Sequence, residues 1–436
     1  MVLKNTIKLM SLVTLITFAQ SAFAQQPALQ YFRPQDKGGI NVFETPKVDT
    51  VEYDGIKVRL GGGFAMQFQS LSQSNSENNL AELGSDFNLP TANLNIDVQL
   101  YDGVRLHLRN YFSARHHNEA WVKGGHMQID KLDFIKPGFM ENIMKYTTIR
   151  IGLDEFNYGD NHFRRSDNAQ ALYNPFVENF IMDAFATEAF GEVTVQNKGF
   201  LVVLGVTNGK LNQNVVNTDA SDNKPSFFGK VGYDKQLSED LRVRLTGSWY
   251  RNHGTTTGTW LYGGDRAGSR YYHVLRTLPD PNNNNTVTYT DFDGRYNARF
   301  TKLTAIQVNP FLKYKGLEFY GVYELADGAE DIVQGGNVVA KAGSFTQLAG
   351  ELVYRFGGQE NFFVGGRYNT VSGKTRDDMT DTMDISRLQL GAGWFLTRNV
   401  LTKVEYVQQK YTGNAWTGRF NGAEFDGIVI EAVIGF

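Results

Sequence analysis

Residues 92–109 read ANLNIDVQLYDGVRLHLR. In the first half every second residue is apolar or small (Ala92, Leu94, Ile96, Val98, Leu100), and the residues between them, Asn93, Asn95, Asp97 and Gln99, are polar. Successive side chains of a β-strand point to opposite faces, so this segment is a strand with one greasy face and one wet face. Tyr101-Asp102-Gly103 fits a three-residue hairpin loop with Gly in the left-handed position. The return strand sets Val104, Leu106 and Leu108 against Arg105, His107 and Arg109, and the loop length keeps Leu100 and Val104 on one face.

The same unit recurs on both sides of this hairpin. Upstream, Ile56, Val58, Leu60, Phe64, Met66 and Phe68 share one parity, and Lys57, Arg59, Gln67 and Gln69 the other. Downstream, Leu241, Val243, Leu245 and Trp249 oppose Arg242 and Arg244, and Ile306, Val308, Leu312 and Tyr314 oppose Gln307, Asn309 and Lys313. Ile428, Ile430, Ala432, Ile434 and Phe436 close the chain against Glu431. With weaker segments counted, the total is about sixteen strands, within the range of bacterial outer-membrane barrels. Such barrels alternate short periplasmic turns with longer external loops. Long connections are expected near 71–90, 154–185, 208–225, 251–303, 326–344, 371–385 and 411–424. Short ones are expected at 101–103, 196–199, 234–240, 315–316, 357–361 and 397–399. Between 115 and 145 the order reverses, with a brief external loop near Arg115 and a long turn around Lys136-Pro137-Gly138.

These features predict an all-β fold: a closed antiparallel transmembrane β-barrel over residues 55–436. In hydrocarbon an unpaired backbone N–H or C=O costs several kcal/mol, so a sheet must close on itself. A soluble sandwich would have no reason to sort loop lengths by end. Tyr233, Tyr314, Phe356, Phe362 and Phe436 fall at the expected periplasmic ends, where an aromatic girdle belongs. The 436-residue chain carries 43 Lys and Arg against 46 Asp and Glu and no Cys. That balance gives no reason to expect a nucleic-acid partner, and the missing Cys excludes disulfides and thiolate chemistry. Lys4 and Lys8 precede an apolar run, Leu9 to Ala19, and Ala22-Phe23-Ala24 supplies a cleavage pattern. Residues 1–24 are therefore expected to be a signal peptide, whose removal moves the net charge from -3 to -5. Residues 25–54, broken by Pro27, Pro34 and Pro46, are expected to be a periplasmic lead-in or a partial plug.

By these features the chain resembles a Gram-negative porin. The stretch Gly159-Asp160-Asn161-His162-Phe163-Arg164-Arg165-Ser166-Asp167-Asn168, with Asn174-Pro175-Phe176, is similar to porin-like barrels of Bacteroidota and, more broadly, to the phosphate-selective porin O and P superfamily. That family's anion-binding lysine cluster is not matched position by position. The resemblance implies passive diffusion of small hydrophilic solutes, anions among them. It also implies a surround of outer-membrane lipid and lipopolysaccharide, and a homotrimer. Terminal Phe436 resembles the signal read by the outer-membrane assembly machinery. In porins of this type the third external loop folds inward and narrows the channel, which makes residues 154–185 the constriction loop and Arg164 and Arg165 its candidate residues. Arginine suits that role because its planar fork binds carboxylate or phosphate bidentately. The alternative is that both are paired with Asp160 and Asp167 as loop staples.

The lumen-facing parity carries 13 cations, among them Lys57, Arg59, Arg105, Arg109, Arg150, Arg242 and Arg244, against eight carboxylates, an excess of +5. A positive wall in a low-dielectric channel raises the local anion concentration. The competing reading is a neutralising ladder that keeps the interior wet. No enzyme and no metal or cofactor is expected. Ser372-Gly373-Lys374-Thr375 has Tyr368 where a phosphate loop needs Gly, His116-His117 beside Glu119 lacks zinc-protease spacing, and Asp291-Phe292-Asp293-Gly294 lacks the remaining calcium ligands. Two other functions remain open: a structural or secretion-associated barrel plugged by residues 25–54, and an outer-membrane hydrolase with His and Ser in its external loops.

Overall fold

The computed structural model describes residues 26–112, 120–164, 170–185, 187–210, 224–254, 261–263, 271–289, 294–334 and 337–436. The expected signal peptide, Arg165, Asp167, His116, His117 and Asp291 to Asp293 lie outside them. The chain forms sixteen strands: β1 Lys57–Ser74, β2 Asp86–Tyr101, β3 Val104–Phe112, β4 Trp121–Ile129, β5 Thr147–Glu155, β6 Thr187–Asn197, β7 Phe200–Thr207 and β8 Ser226–Gln236. They continue with β9 Leu241–Asn252, β10 Lys302–Tyr314, β11 Leu317–Gln334, β12 Asn337–Phe356, β13 Phe362–Lys374, β14 Met383–Thr397, β15 Val400–Thr412 and β16 Glu424–Gly435. Each pairs antiparallel with its sequence neighbours, and β1 pairs with β16 through Phe64↔Ile434 and Phe68↔Ile430, which closes the barrel. An even strand number puts both ends of the sheet on the same side.

The turns follow their chemistry. Gly103 has a φ of 69°, the left-handed conformation that its lack of a Cβ permits, and a bulge between Gln99 and Tyr101 accompanies it. The apolar parity faces outward: Leu94, Leu106, Ile151, Leu204, Leu245, Leu312, Leu352, Leu390 and Ile430 are all exposed. Tyr314, Phe356, Phe362 and Phe436 are exposed at the turn-side rim, and Phe356 and Phe362 lie 5.4 Å apart. With this belt, the sequence's expectation of a closed transmembrane barrel is met.

One long external connection is absent. In place of a loop over 326–344, β11 and β12 remain paired as far as Gln334↔Asn337. Beyond the bilayer both faces of a hairpin meet water, so polar and apolar residues need not alternate while the backbone ladder continues. Twenty residues at a rise of about 3.4 Å reach well past an apolar band of about 25 Å.

The interior is also not wet throughout. The connections β5–β6 and β9–β10 enter it and bring Phe156, Tyr158, Val177, Ile181, Met182, Leu261, Tyr262, Tyr271 and Phe300 against inward residues such as Leu201, Val203, Phe228 and Tyr250. A second cluster joins Leu172, Tyr173 and Phe176 to Val353, Phe363, Phe395 and Leu401.

Candidate functional site

Besides the β9–β10 connection, two irregular segments occupy the lumen, and polar side chains of the wall satisfy the backbone of the first. In the β5–β6 connection, the N–H groups of Asp160, Val177, Ile181 and Met182 donate to Asn309 (2.9 Å), Glu405 (2.7 Å), Asn369 (2.7 Å) and Gln347 (2.9 Å). Its carbonyls accept from wall cations. Lys403 reaches the Phe176 carbonyl at 2.9 Å, Arg367 that of Glu178 at 2.7 Å and Arg387 that of Asn179 at 2.8 Å. The Arg367 guanidinium also sits 4.4 Å from the ring centroids of both Phe176 and Phe180. Buried backbone polar groups need partners, which explains why amides and cations stand on the inner parity of β12 to β15.

Residues 26–54 cross the opposite, turn-side end. Gln30 bonds Asp102 at 2.9 Å, Asp36 pairs with Arg398 at 2.7 Å, Asn41 donates to Glu318 at 2.7 Å, and Lys47 pairs with Asp130 at 2.6 Å. Both segments meet at one buried cluster. Arg244 grips Asp160 with two bonds of 2.8 Å and holds Glu44 at 2.8 Å; Lys230 lies 2.9 Å from Asp160, and the Thr246 hydroxyl donates to it at 2.8 Å. Burial by itself would raise the pKa of Glu44 and Asp160, but the charges of Arg244 and Lys230 overcome it and hold both carboxyls below their ordinary range.

The expected site residues are distributed over several places. Lys57 pairs with Asp54 at 2.7 Å near the rim, and Arg59 lies 5.2 Å from the Phe32 ring centroid. Arg105 bonds Asp97 at 2.9 Å, Arg109 is 3.9 Å from Asp154, and Arg150 bonds Glu192 at 2.9 Å. Arg242 forks onto Asp234 at 2.8 and 2.7 Å. Arg164 is buried, bonds Asn41 and Glu351, and lies 4.9 Å from the Tyr320 ring centroid. The alternative, a staple between Arg164 and Asp160, does not form. Asp160 faces β8 and β9, whereas the short 3-10 turn Asn161–Phe163 carries Arg164 round to β11 and β12.

A polar cavity of about 180 Å³ lies along the β2–β6 wall. The wall gives it Asp97, Arg105, His107, Arg109, His126, Arg150, Asp154 and Glu192; the inner segments give it Phe32, Arg33, Phe43, Glu44, His162 and Tyr173. Four arginines there face five carboxylates, Glu44, Asp97, Asp154, Glu155 and Glu192. The +5 excess is therefore not concentrated at this cavity, because Lys230, Arg367, Arg387 and Lys403 are engaged on the other walls. His107 and His126 stand opposite each other across β3 and β4, with Nδ1 at 2.9 Å from Asp97 and 2.8 Å from Asp154. Neither histidine was singled out from the sequence, although the 101–103 hairpin register already sets Asp97 opposite His107. Near the turn-side mouth a second cavity of about 470 Å³ is lined by Lys37, Arg242, Lys313, Lys315 and Arg355 against Glu239, Asp240 and Glu360.

Among the described residues no group of three or more His, Asp or Glu is arranged to hold a metal ion. Lys374, in the sequence that imitates a phosphate loop, donates to the Met379 and Thr380 carbonyls at 2.9 and 3.1 Å.

No protein-family model matches the chain, and no curated protein does. Among solved structures it is similar to an anion-selective porin from Comamonas acidovorans, with a TM-score of 0.51 and 12% identity over 87% of this chain and 100% of that one. The outer-membrane channel DcaP of Acinetobacter baumannii gives 0.49 and 9% over 88% and 99%, and OmpF of Salmonella typhi 0.49 and 11% over 88% and 99%. At 12% identity the first likeness shows the fold: the chain is a closed sixteen-strand barrel of porin architecture, a form that belongs to the outer membrane of Gram-negative bacteria.

Proposed function

We propose that this protein is a narrow outer-membrane channel for passive diffusion of small hydrophilic solutes, with the route along the β2–β6 wall. The observation that carries the reading is the contrast between walls: β2–β6 keeps a charged, polar cavity, while the opposite side is filled by residues 170–182 and apolar packing. Interleaved Arg, Asp, Glu and His let a hydrated solute exchange water for protein partners without meeting one strong charge. Anion preference, phosphate included, is the finer part of the proposal. It is supported by five cations against three carboxylates at the turn-side mouth, and by the resemblance of residues 159–168 and 174–176 to O and P superfamily barrels of Bacteroidota. A homotrimer, set in lipid and lipopolysaccharide after delivery by the assembly machinery, belongs to the same reading. Reconstituted in a planar bilayer, the protein should show small stepwise conductance and a reversal potential of anion sign in a KCl gradient. Absence of steps would remove the channel, and cation preference would remove the anion clause.

A second reading, a barrel plugged by residues 26–54, is favoured by the bonds from Gln30, Asp36, Asn41, Glu44 and Lys47 to the wall and its turns. Deleting that segment separates the two. A severalfold rise from near-zero conductance supports the plug, and a similar conductance with and without the segment supports the open channel.

A further inference from the structure

The connection from β4 to β5 differs from the other turns at its end of the barrel. Those contain two to five residues, whereas this one runs from 130 to 146 and includes a helical turn, α1, Glu141–Met144. It folds back over the outside of the wall. Met144, 4% exposed, packs with Val104 and Ile129, and Leu132 and Ile149 border the same cluster. Val104, Ile129 and Ile149 share the outward parity of Leu106, Met127 and Ile151, so α1 rests on a continuation of the lipid-facing belt. Apart from Met144 and the half-buried Leu132, the apolar side chains of this connection are exposed. Ile135 is 59% exposed and Ile143 52%, the same as lipid-facing Ile151 at 51%, and Phe134, Phe139 and Met140 are exposed with them. Lys136 and Lys145 stand exposed among them, and the Gly138 N–H donates to Asp133 at 2.8 Å, closing the turn.

We propose that residues 132–145 form an interfacial foot that enters the inner, phospholipid leaflet of the outer membrane at the boundary between headgroups and acyl chains. Phe134, Ile135, Phe139 and Ile143 contact acyl chains, and Lys136 and Lys145 reach lipid phosphates. Lipid is the occupant because the foot is seated on the lipid-facing belt through Met144, and because apolar residues flanked by lysines match that boundary. The inference needs only the outer-membrane placement and is independent of conduction.

The chain has no Cys, so single replacements give clean labels. Phe139→Cys and Ile143→Cys, each carrying an environment-sensitive NBD dye, are compared in phosphatidylethanolamine–phosphatidylglycerol vesicles with Leu106→Cys in the belt and Asp378→Cys in an external loop. The foot predicts blue-shifted emission and about threefold or more quenching by shallow doxyl lipid relative to Asp378→Cys, with little quenching by iodide. Iodide access equal to that at Asp378→Cys overturns the proposal. Protection from both quenchers with cross-linking between copies also overturns it, in favour of a subunit interface. Faster gel migration of the unheated variants checks that each barrel has formed.

Discussion

Asp160 joins loop to wall, and its chemistry sets how the protein meets acid. Arg244 and Lys230 keep its carboxyl, like that of Glu44, ionised below the ordinary range. The folded pKa is lower than the unfolded one, so the stabilisation is complete above the unfolded value of about 4 and is lost as the pH falls through the folded value. The share of the thermal stability that Asp160→Asn removes should therefore stay level from pH 8 to about 5 and disappear only in stronger acid, where the loop is released. A difference in melting temperature between the wild type and Asp160→Asn that changes between pH 7 and 5 would contradict this assignment. Arg244 was legible as a lumen cation from its parity beside Val243. Its partner was not, because residues 160 and 244 are 84 positions apart and no local pattern links them.

Alternation identifies the strands but not everything that touches them. β7, Phe200–Thr207, shows both sides of this. Its outward Val202 and Leu204 meet lipid, as period two requires, while inward Leu201 and Val203 are buried, in the same apolar cluster as residues of the β5–β6 connection. Leu204→Arg should cost about 2–4 kcal/mol if Leu204 sits near the bilayer midplane, and much less near its edge. Refolding into vesicles under urea titration measures it. The β11–β12 hairpin illustrates the other limit: where the strands leave the bilayer the alternation ceases, and only the continued backbone ladder reveals their length.

For the molecule as a whole, the interior is the deciding feature. Arg367 pairs with Glu351 of the wall at 2.8 Å and holds the inward loop through the Glu178 carbonyl and the rings of Phe176 and Phe180. Arg367→Ala should loosen that loop, raising the open-channel conductance and the frequency of current fluctuations in single-channel records. A change of ion selectivity alone, with neither effect, would make Arg367 a simple charge in the wall. Local chemistry was enough to establish the membrane barrel, its strand number and its outward face, because lipid on one side and polar groups on the other impose a two-residue period along each strand. The filled lumen, the Glu44–Asp160–Arg244 junction and the polar cavity along β2–β6 depend on contacts between segments far apart in the chain. Charge and parity place a side chain inside the barrel, but only the packed loops determine whether it meets water or a partner.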